Sequence, residues 1–271
     1  MRLERIHLNT GGAYMDCYFL DTSEKLRYST NRPVVVICPG GGYLRTSDRE
    51  GEPIAMAFAA QGFHTVVLRY PCAPTRFPTA LLCLGEAMLW LRNHAAEYSL
   101  NPDQIAVSGY SAGGHLAASL GVFWQEPFMA EYLGCKSEDI RPNAMILGYP
   151  VLTSGEFAHR GSFENLLGES PSPERLEYVS LEKRVSAATP PAFLWTTYTD
   201  EIVPMENTML FASAMRAAGV PFELHIYSIG EHGLGLAGKV TENHLGERVC
   251  PACEGWTALA GAWLHRQCGQ W

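Results

Sequence analysis

Short apolar runs rich in β-branched residues alternate with helical patterns along almost the whole chain, and this rhythm restricts the fold more than any other feature of the sequence. The runs fall at 34–38, 65–70, 105–108, 144–149, 192–196 and 222–227. Each is short and nearly uniformly apolar, the pattern of parallel strands covered on both faces. Helical periodicity lies between them at 53–61, 80–98, 112–124, 204–218 and 254–266, with Pro204 suited to a first helical turn and Gly219 to a C-terminal cap. The expected fold class is α/β, with a mostly parallel central sheet and helices on both faces. Residues 13–20 read as an earlier strand, antiparallel at the sheet edge.

Residues 152–191 break the rhythm, with turn formers and two short amphipathic pieces between strands. The bland reading is a surface excursion. The functional reading, favoured because long connections in compact domains often serve the site, is a cap or lid over the carboxyl ends of the strands. The 271 residues are therefore expected to form a single domain, 1–271, with a cap insertion at about 152–191.

A formal charge of −8 and the lack of any Lys/Arg run disfavour a nucleic-acid partner, since phosphate neutralisation needs clustered cations. The uncharged stretch 104–125 is long enough to cross a bilayer, but its glycines, serines and His115 fit a buried strand-turn-helix unit better, so no membrane partner is expected. Eight cysteines are too sparse for a disulfide scaffold, and the first residues carry no apolar stretch of a secretory signal. A cytoplasmic protein is expected, and a homo-oligomer is compatible with all of this.

The strongest local signal is Gly109-Tyr110-Ser111-Ala112-Gly113, preceded by the run Ile105-Ala106-Val107-Ser108 and followed by a helical pattern. A serine on a sharp strand-to-helix turn is pushed above the sheet, and the next N–H, that of Ala112, faces a developing oxyanion. The alternative is a tight turn with an incidental serine. A serine nucleophile needs a base, normally a His oriented by a carboxylate. His232 follows the strand at 222–227 in the loop Ser228-Ile229-Gly230-Glu231-His232-Gly233, at a carboxyl end; His244 is the reserve. Asp200 follows the strand at 192–196 and is the expected orienter, although an Asp there also suits a helix cap, and Glu201 is its nearest rival. Asp139 lies ahead of its strand, at the wrong end. The glycine run Gly40-Gly41-Gly42 after the first parallel strand lets backbone N–H groups approach a reacting carbonyl; the Lys-Ser/Thr of a phosphate-binding loop is missing.

The sequence resembles α/β-hydrolases of the carbohydrate-acetylesterase, acetylxylan-esterase-like group. The resemblance runs from about Val34 to Ala237, through VVVICPGGGY, REGEPIA, IAVSGYSAGGHLAASLG, ATPPAFLW, DEIVPMEN and GVPFELHIYSIGEHGLGLA. It implies Ser111 as nucleophile, His232 as base, Asp200 as its partner, and Gly41, Gly42 and Ala112 as oxyanion donors. Thr196 and Thr199 depart from the group's pattern at positions outside the triad, which bears on substrate preference. The expected function is a serine hydrolase of short-chain carboxylic esters, acting through an acyl-enzyme on acetylated sugars or other small alcohols and needing no cofactor. An amide-bond hydrolase on the same site, or a silent binding module, are the rival readings. Cys250-Pro251-Ala252-Cys253, with His244 and Cys268 nearby, lacks the second half of a structural zinc site, so no metal is expected and surface or semi-buried thiols are the simpler account. Trp90, Trp124 and Trp195 are expected in the core rather than as sugar platforms.

Overall fold

In a computed structural model, which describes residues 1–26 and 29–267, eight strands form one sheet. They are β1 (Arg2–His7), β2 (Tyr14–Phe19), β3 (Arg32–Cys38), β4 (His64–Arg69), β5 (Leu100–Tyr110), β6 (Ala144–Gly148), β7 (Ala192–Thr197) and β8 (Phe222–Tyr227). The spatial order is β1-β2-β4-β3-β5-β6-β7-β8. β1 and β2 are antiparallel to their neighbours, and β3 to β8 are parallel. The helices are α1 (Glu52–Ala59), α2 (Thr79–Asn93), α3 (Ala95–Tyr98), α4 (Ala112–Phe123), α5 (Pro127–Leu133), α6 (Arg160–Leu167), α7 (Pro173–Tyr178), α8 (Glu206–Ala217) and α9 (Trp256–Gln267).

Period-two alternation splits the apolar strands between two cores. Val34, Val36 and Cys38 join the larger core with α2, α4 and α8, while Val35 and Ile37 join the smaller one under α1 and α9. Trp195 is fully buried and stacks on Trp256, so it is a core residue as expected. No helix among the described residues is long and apolar enough to cross a membrane, and 104–125 is a strand, a turn and a helix.

Four expectations need correction. The strand expected at 13–20 forms at 14–19 but is not at the edge, because β1 covers it; β1 carries Arg2, Glu4 and Arg5 among its six residues and is largely exposed, so it offers little apolar pattern to read. The helix at 80–98 is two helices, broken at His94, whose Nδ1 pairs with the Trp90 carbonyl. Pro204 lies two residues ahead of α8, although Gly219 does take the left-handed conformation just beyond it. Cys250 and Cys253 are buried rather than semi-buried, their sulfurs 3.4 Å apart. No cluster of three metal-ligating side chains occurs among the described residues, and Cys268 lies outside them.

Two histidines are built into the interior. His64 accepts from the Leu20 N–H, and His115 lies between the Tyr43 hydroxyl and the Val179 carbonyl, each 2.9 Å away. Burial lowers both to about 4. Between pH 6.5 and 4 the unfolded chain takes up protons that the fold refuses, so this stability is complete above pH 6.5 and is lost as pH falls. The slope is about 1.4 kcal/mol per pH unit for each group. The urea midpoint is expected to fall between pH 7 and pH 5, and to fall less steeply in His64→Gln; identical slopes in the two proteins would refute this assignment.

Candidate active site

The chain leaves β3 for β4 on one side, then returns to β5 on the other, so the crevice between the carboxyl ends of β3 and β5 is a topological switch point. The glycine loop follows β3 and Ser111 follows β5, which brings both to that crevice. The elbow depends on backbone contact that side chains would prevent. A Cβ on Gly109 would meet the Gly113 carbonyl at 2.1 Å, and one on Gly113 would meet the Cys38 carbonyl at 2.0 Å. Strand, helix and neighbouring strand therefore close on one another at glycine, and Ser111 is held at φ 54° and ψ −122°, a costly conformation for a residue with a side chain. Its own N–H is fixed to the Gly148 carbonyl at 3.1 Å, and its carbonyl takes the N–H groups of Gly114 and Val151.

The three expected side chains meet in one line. His232 Nε2 lies 2.7 Å from Ser111 Oγ, and His232 Nδ1 lies 2.7 Å from Asp200 Oδ2. The Asp200 side chain is fully buried, and its other oxygen accepts the N–H groups of Ile202 and Val203 at 3.0 and 2.9 Å. Asp200 caps no helix, since Met205 stands at the N-cap of α8; one of its oxygens holds the local turn while the other faces the imidazole. Asp200 Oδ2 fixes the tautomer with the proton on Nδ1, leaving Nε2 as an acceptor for the serine hydroxyl. Glu201 is exposed, as is His244.

Gly40 and Gly41 turn their carbonyls to the N–H groups of Ser47, Leu44 and Arg45. Across each planar trans peptide, the N–H of Gly41 and of Gly42 faces the opposite way. Gly41, at φ 124°, has no room for a side chain, because a Cβ would lie 2.2 Å from the Arg45 carbonyl oxygen. Ala112 opens α4, where a helix leaves its first N–H groups unpaired.

The loop carrying His232 is pinned from several directions. Thr197 and Thr199 both donate to the Gly230 carbonyl, and Thr199 also accepts the Gly230 N–H. Arg49 Nη1 donates to the Gly233 carbonyl at 2.8 Å, and Arg248 donates to that of His232. The thiols of Cys250 and Cys253 both face the Ile229 carbonyl. Thr199, one of the two departures from the resembled pattern, thus acts as a neutral fastener.

Three residues near the site escaped sequence reasoning as participants. Glu50 is 3% exposed and contacts the glycine loop, although in sequence it stands among the polar residues Ser47, Asp48 and Arg49. Tyr149, at φ 35°, sets its ring edge-to-face with that of His232 at 5.2 Å between centroids. His159, in the excursion, pairs with Ser162 and is close enough to His232 to feel its charge; burial first, then that repulsion, holds it below its ordinary pKa. No sequence signal singled out Tyr149, whose place follows from loops distant in the chain.

The sheet order, the elbow and the crevice define an α/β-hydrolase. Residues 20–215 match the BD-FAE family model, and the chain belongs to that family. Among curated proteins it is 37% identical to endo-1,4-beta-xylanase B of Butyrivibrio fibrisolvens over 76% of this chain and 33% of that protein. It is 31% identical to an acetylxylan esterase of Xylanibacter ruminicola, over 83% of this chain and 44% of that one. The chain thus spans between a third and a half of these two relatives. Among solved structures, an acetyl ester-xyloside bifunctional hydrolase from Caldicellulosiruptor lactoaceticus superposes with a TM-score of 0.82 at 33% identity, covering 97% of this chain and 96% of the other. The carboxylesterase Cest-2923 of Lactobacillus plantarum gives 0.87 at 30% identity, with 98% of each covered.

Gly113→Ala is expected to destabilise the fold by about 1–3 kcal/mol, since backbone must move to admit the methyl group. Gly134→Ala, left-handed but in open space, should lose only about 1 kcal/mol. Urea denaturation compares the two, and equal losses would mean that the contact at Gly113 relaxes freely.

Proposed function

We propose that the protein is a serine carboxylesterase that removes short acyl groups, acetyl foremost, from acylated sugars. The observation that carries this reading is the hydrogen-bonded line Ser111–His232–Asp200, with 2.7 Å at each step. The similarity to an acetylxylan esterase and to an acetyl ester-xyloside hydrolase supports the acetyl-sugar substrate.

In this scheme Ser111 Oγ attacks the ester carbonyl while His232 Nε2 accepts its proton. Asp200 stabilises the imidazolium and keeps the ring in place. The N–H groups of Gly41, Gly42 and Ala112 receive the oxyanion of the tetrahedral intermediate. Its collapse transfers the proton from His232 to the leaving alcohol and leaves an acyl group on Ser111. Water, deprotonated by His232, then attacks the acyl-enzyme and frees the acid. The scheme uses residues of the chain and water.

The excursion at 152–191 serves as a cap in the same reading. Asn165 donates to the Gly42 carbonyl at 2.9 Å, and Phe77 N–H to that of Leu166 at 2.8 Å, so α6 is tied to the glycine loop and to the segment before α2. His159 borders the triad from this side. A cytoplasmic site of action belongs to the proposal too, supported by the seven described cysteines being free thiols.

With p-nitrophenyl acetate, Ser111→Ala is expected to lose at least about 10⁴-fold in kcat, and Asp200→Asn about 10⁴-fold near neutrality because the wrong tautomer is then favoured. Unchanged turnover in Ser111→Ala would sink the proposal. Among acetylated xylo-oligosaccharides, longer aryl esters and aminoacyl anilides, the acetylated sugars should give the largest kcat/KM; a larger value on anilides would make the enzyme an amidase.

A further inference from the structure

Glu50 is a buried carboxylate with no part in the chemistry just described, and both of its oxygens are engaged. Oε2 accepts the N–H of Gly40 at 2.8 Å, and Oε1 accepts the hydroxyl of Tyr149 at 2.7 Å. The Tyr149 oxygen in turn accepts the N–H of Gly235 at 2.9 Å. One side chain therefore reaches the glycine loop directly and, through one tyrosine, the loop three residues beyond His232. The same short turn makes two further attachments: Ser47 N–H holds the Gly40 carbonyl, and Arg49 holds the Gly233 carbonyl.

The positions of these contacts matter. Gly40 immediately precedes the proposed oxyanion donors, and a Cβ placed on it would lie 2.7 Å from Glu50 Oε2 and 2.9 Å from the Ser111 Cβ. The glycine loop is thus pressed between Glu50 and the nucleophile. On the other side, the tyrosine that Glu50 holds is the one whose ring supports the imidazole of His232. We propose that Glu50 is a positioning residue that sets the oxyanion loop and the His232 loop at a fixed separation, with Tyr149 as its relay to the second loop. The proposal rests on the esterase reading for its kinetic consequence, whereas its structural consequence stands independently.

The chemistry of the contacts makes the carboxylate specific. Gly40 N–H, Tyr149 O–H and Gly235 N–H form a run of donors that ends on two acceptor oxygens. A glutamine supplies one acceptor and one donor. If its oxygen takes Gly40 N–H, its amide group faces the Tyr149 oxygen, which already accepts from Gly235, and the tyrosine proton has no partner. An amide of the same size therefore breaks one link without removing volume.

The test compares Glu50→Gln, Tyr149→Phe and the double variant with the wild type in steady-state turnover of p-nitrophenyl acetate and in hydrogen–deuterium exchange. Asp48→Ala, in the same turn but exposed, is the control. Glu50→Gln should lower kcat by about 10- to 100-fold, as misplaced catalytic groups do, with KM nearly unchanged. Exchange should accelerate in 40–43 and in 230–236 while β5 and β6 stay protected. Tyr149→Phe should loosen 230–236 alone, and the double variant should be no slower than Glu50→Gln, because both act along one path. Retained kcat in Glu50→Gln with unaltered exchange in both loops overturns the proposal, as does faster exchange throughout the sheet, which would make Glu50 a general stability residue. If Glu50→Gln does not fold, Tyr149→Phe decides, since unaltered exchange in 230–236 removes the relay. A wild type without esterase activity would fail the functional reading, and the exchange data would still judge the clamp.

Discussion

Backbone packed directly against backbone at Gly109 and Gly113 is the constraint from which the site follows. The carbonyl of Cys38 closes over Gly113 where any Cβ would stand, so β3, β5 and α4 come closer than side chains permit. That approach leaves the residue between strand and helix no relaxed conformation, and Ser111 carries the strain with its hydroxyl turned toward the crevice. It also brings the end of β3, and with it the glycine loop, alongside the serine. The parallel register of β5 through β8 then delivers Asp200 and His232 to the same end of the sheet.

The interior of this arrangement was readable because it is repetitive. Buried parallel strands need apolar side chains on both faces, and the runs at 34–38 and 144–149 fall within a residue or two of the strands that form; the run at 222–227 forms β8, an edge strand that is only half-buried rather than covered on both faces. β5 begins earlier than its apolar core, because the polar Asn101-Pro102-Asp103 enters the sheet only across an irregularity in its register with β3. β1 was missed because its pairing with β2 is made by backbone, while Arg2, Glu4 and Arg5 break up any apolar run along it.

The convergence of Ser111, Asp200 and His232 was legible for a different reason. Each member sits just after a strand, so chain order and sheet order together specify which Ser, Asp and His converge. Glu50 and Tyr149 have no such local mark. They lie 99 positions apart in sequence, and their bond exists because the turn after β3 and the end of β6 both fold back over the crevice. A single acidic residue between Arg49 and Gly51 looks the same in sequence whether it faces water or a loop that must not move.

The two margins of the sheet complete the picture. On one side β1 presents Arg2, Glu4 and Arg5 along a largely exposed strand, and on the other Glu223 on β8 pairs with His225 and Arg266. An incoming strand that extended the sheet at either margin would have to strip water from these charges while gaining only main-chain hydrogen bonds. The edges therefore act as gatekeepers against edge-to-edge growth of the sheet between molecules, a protection that the apolar central strands, exposed together during folding, have particular need of.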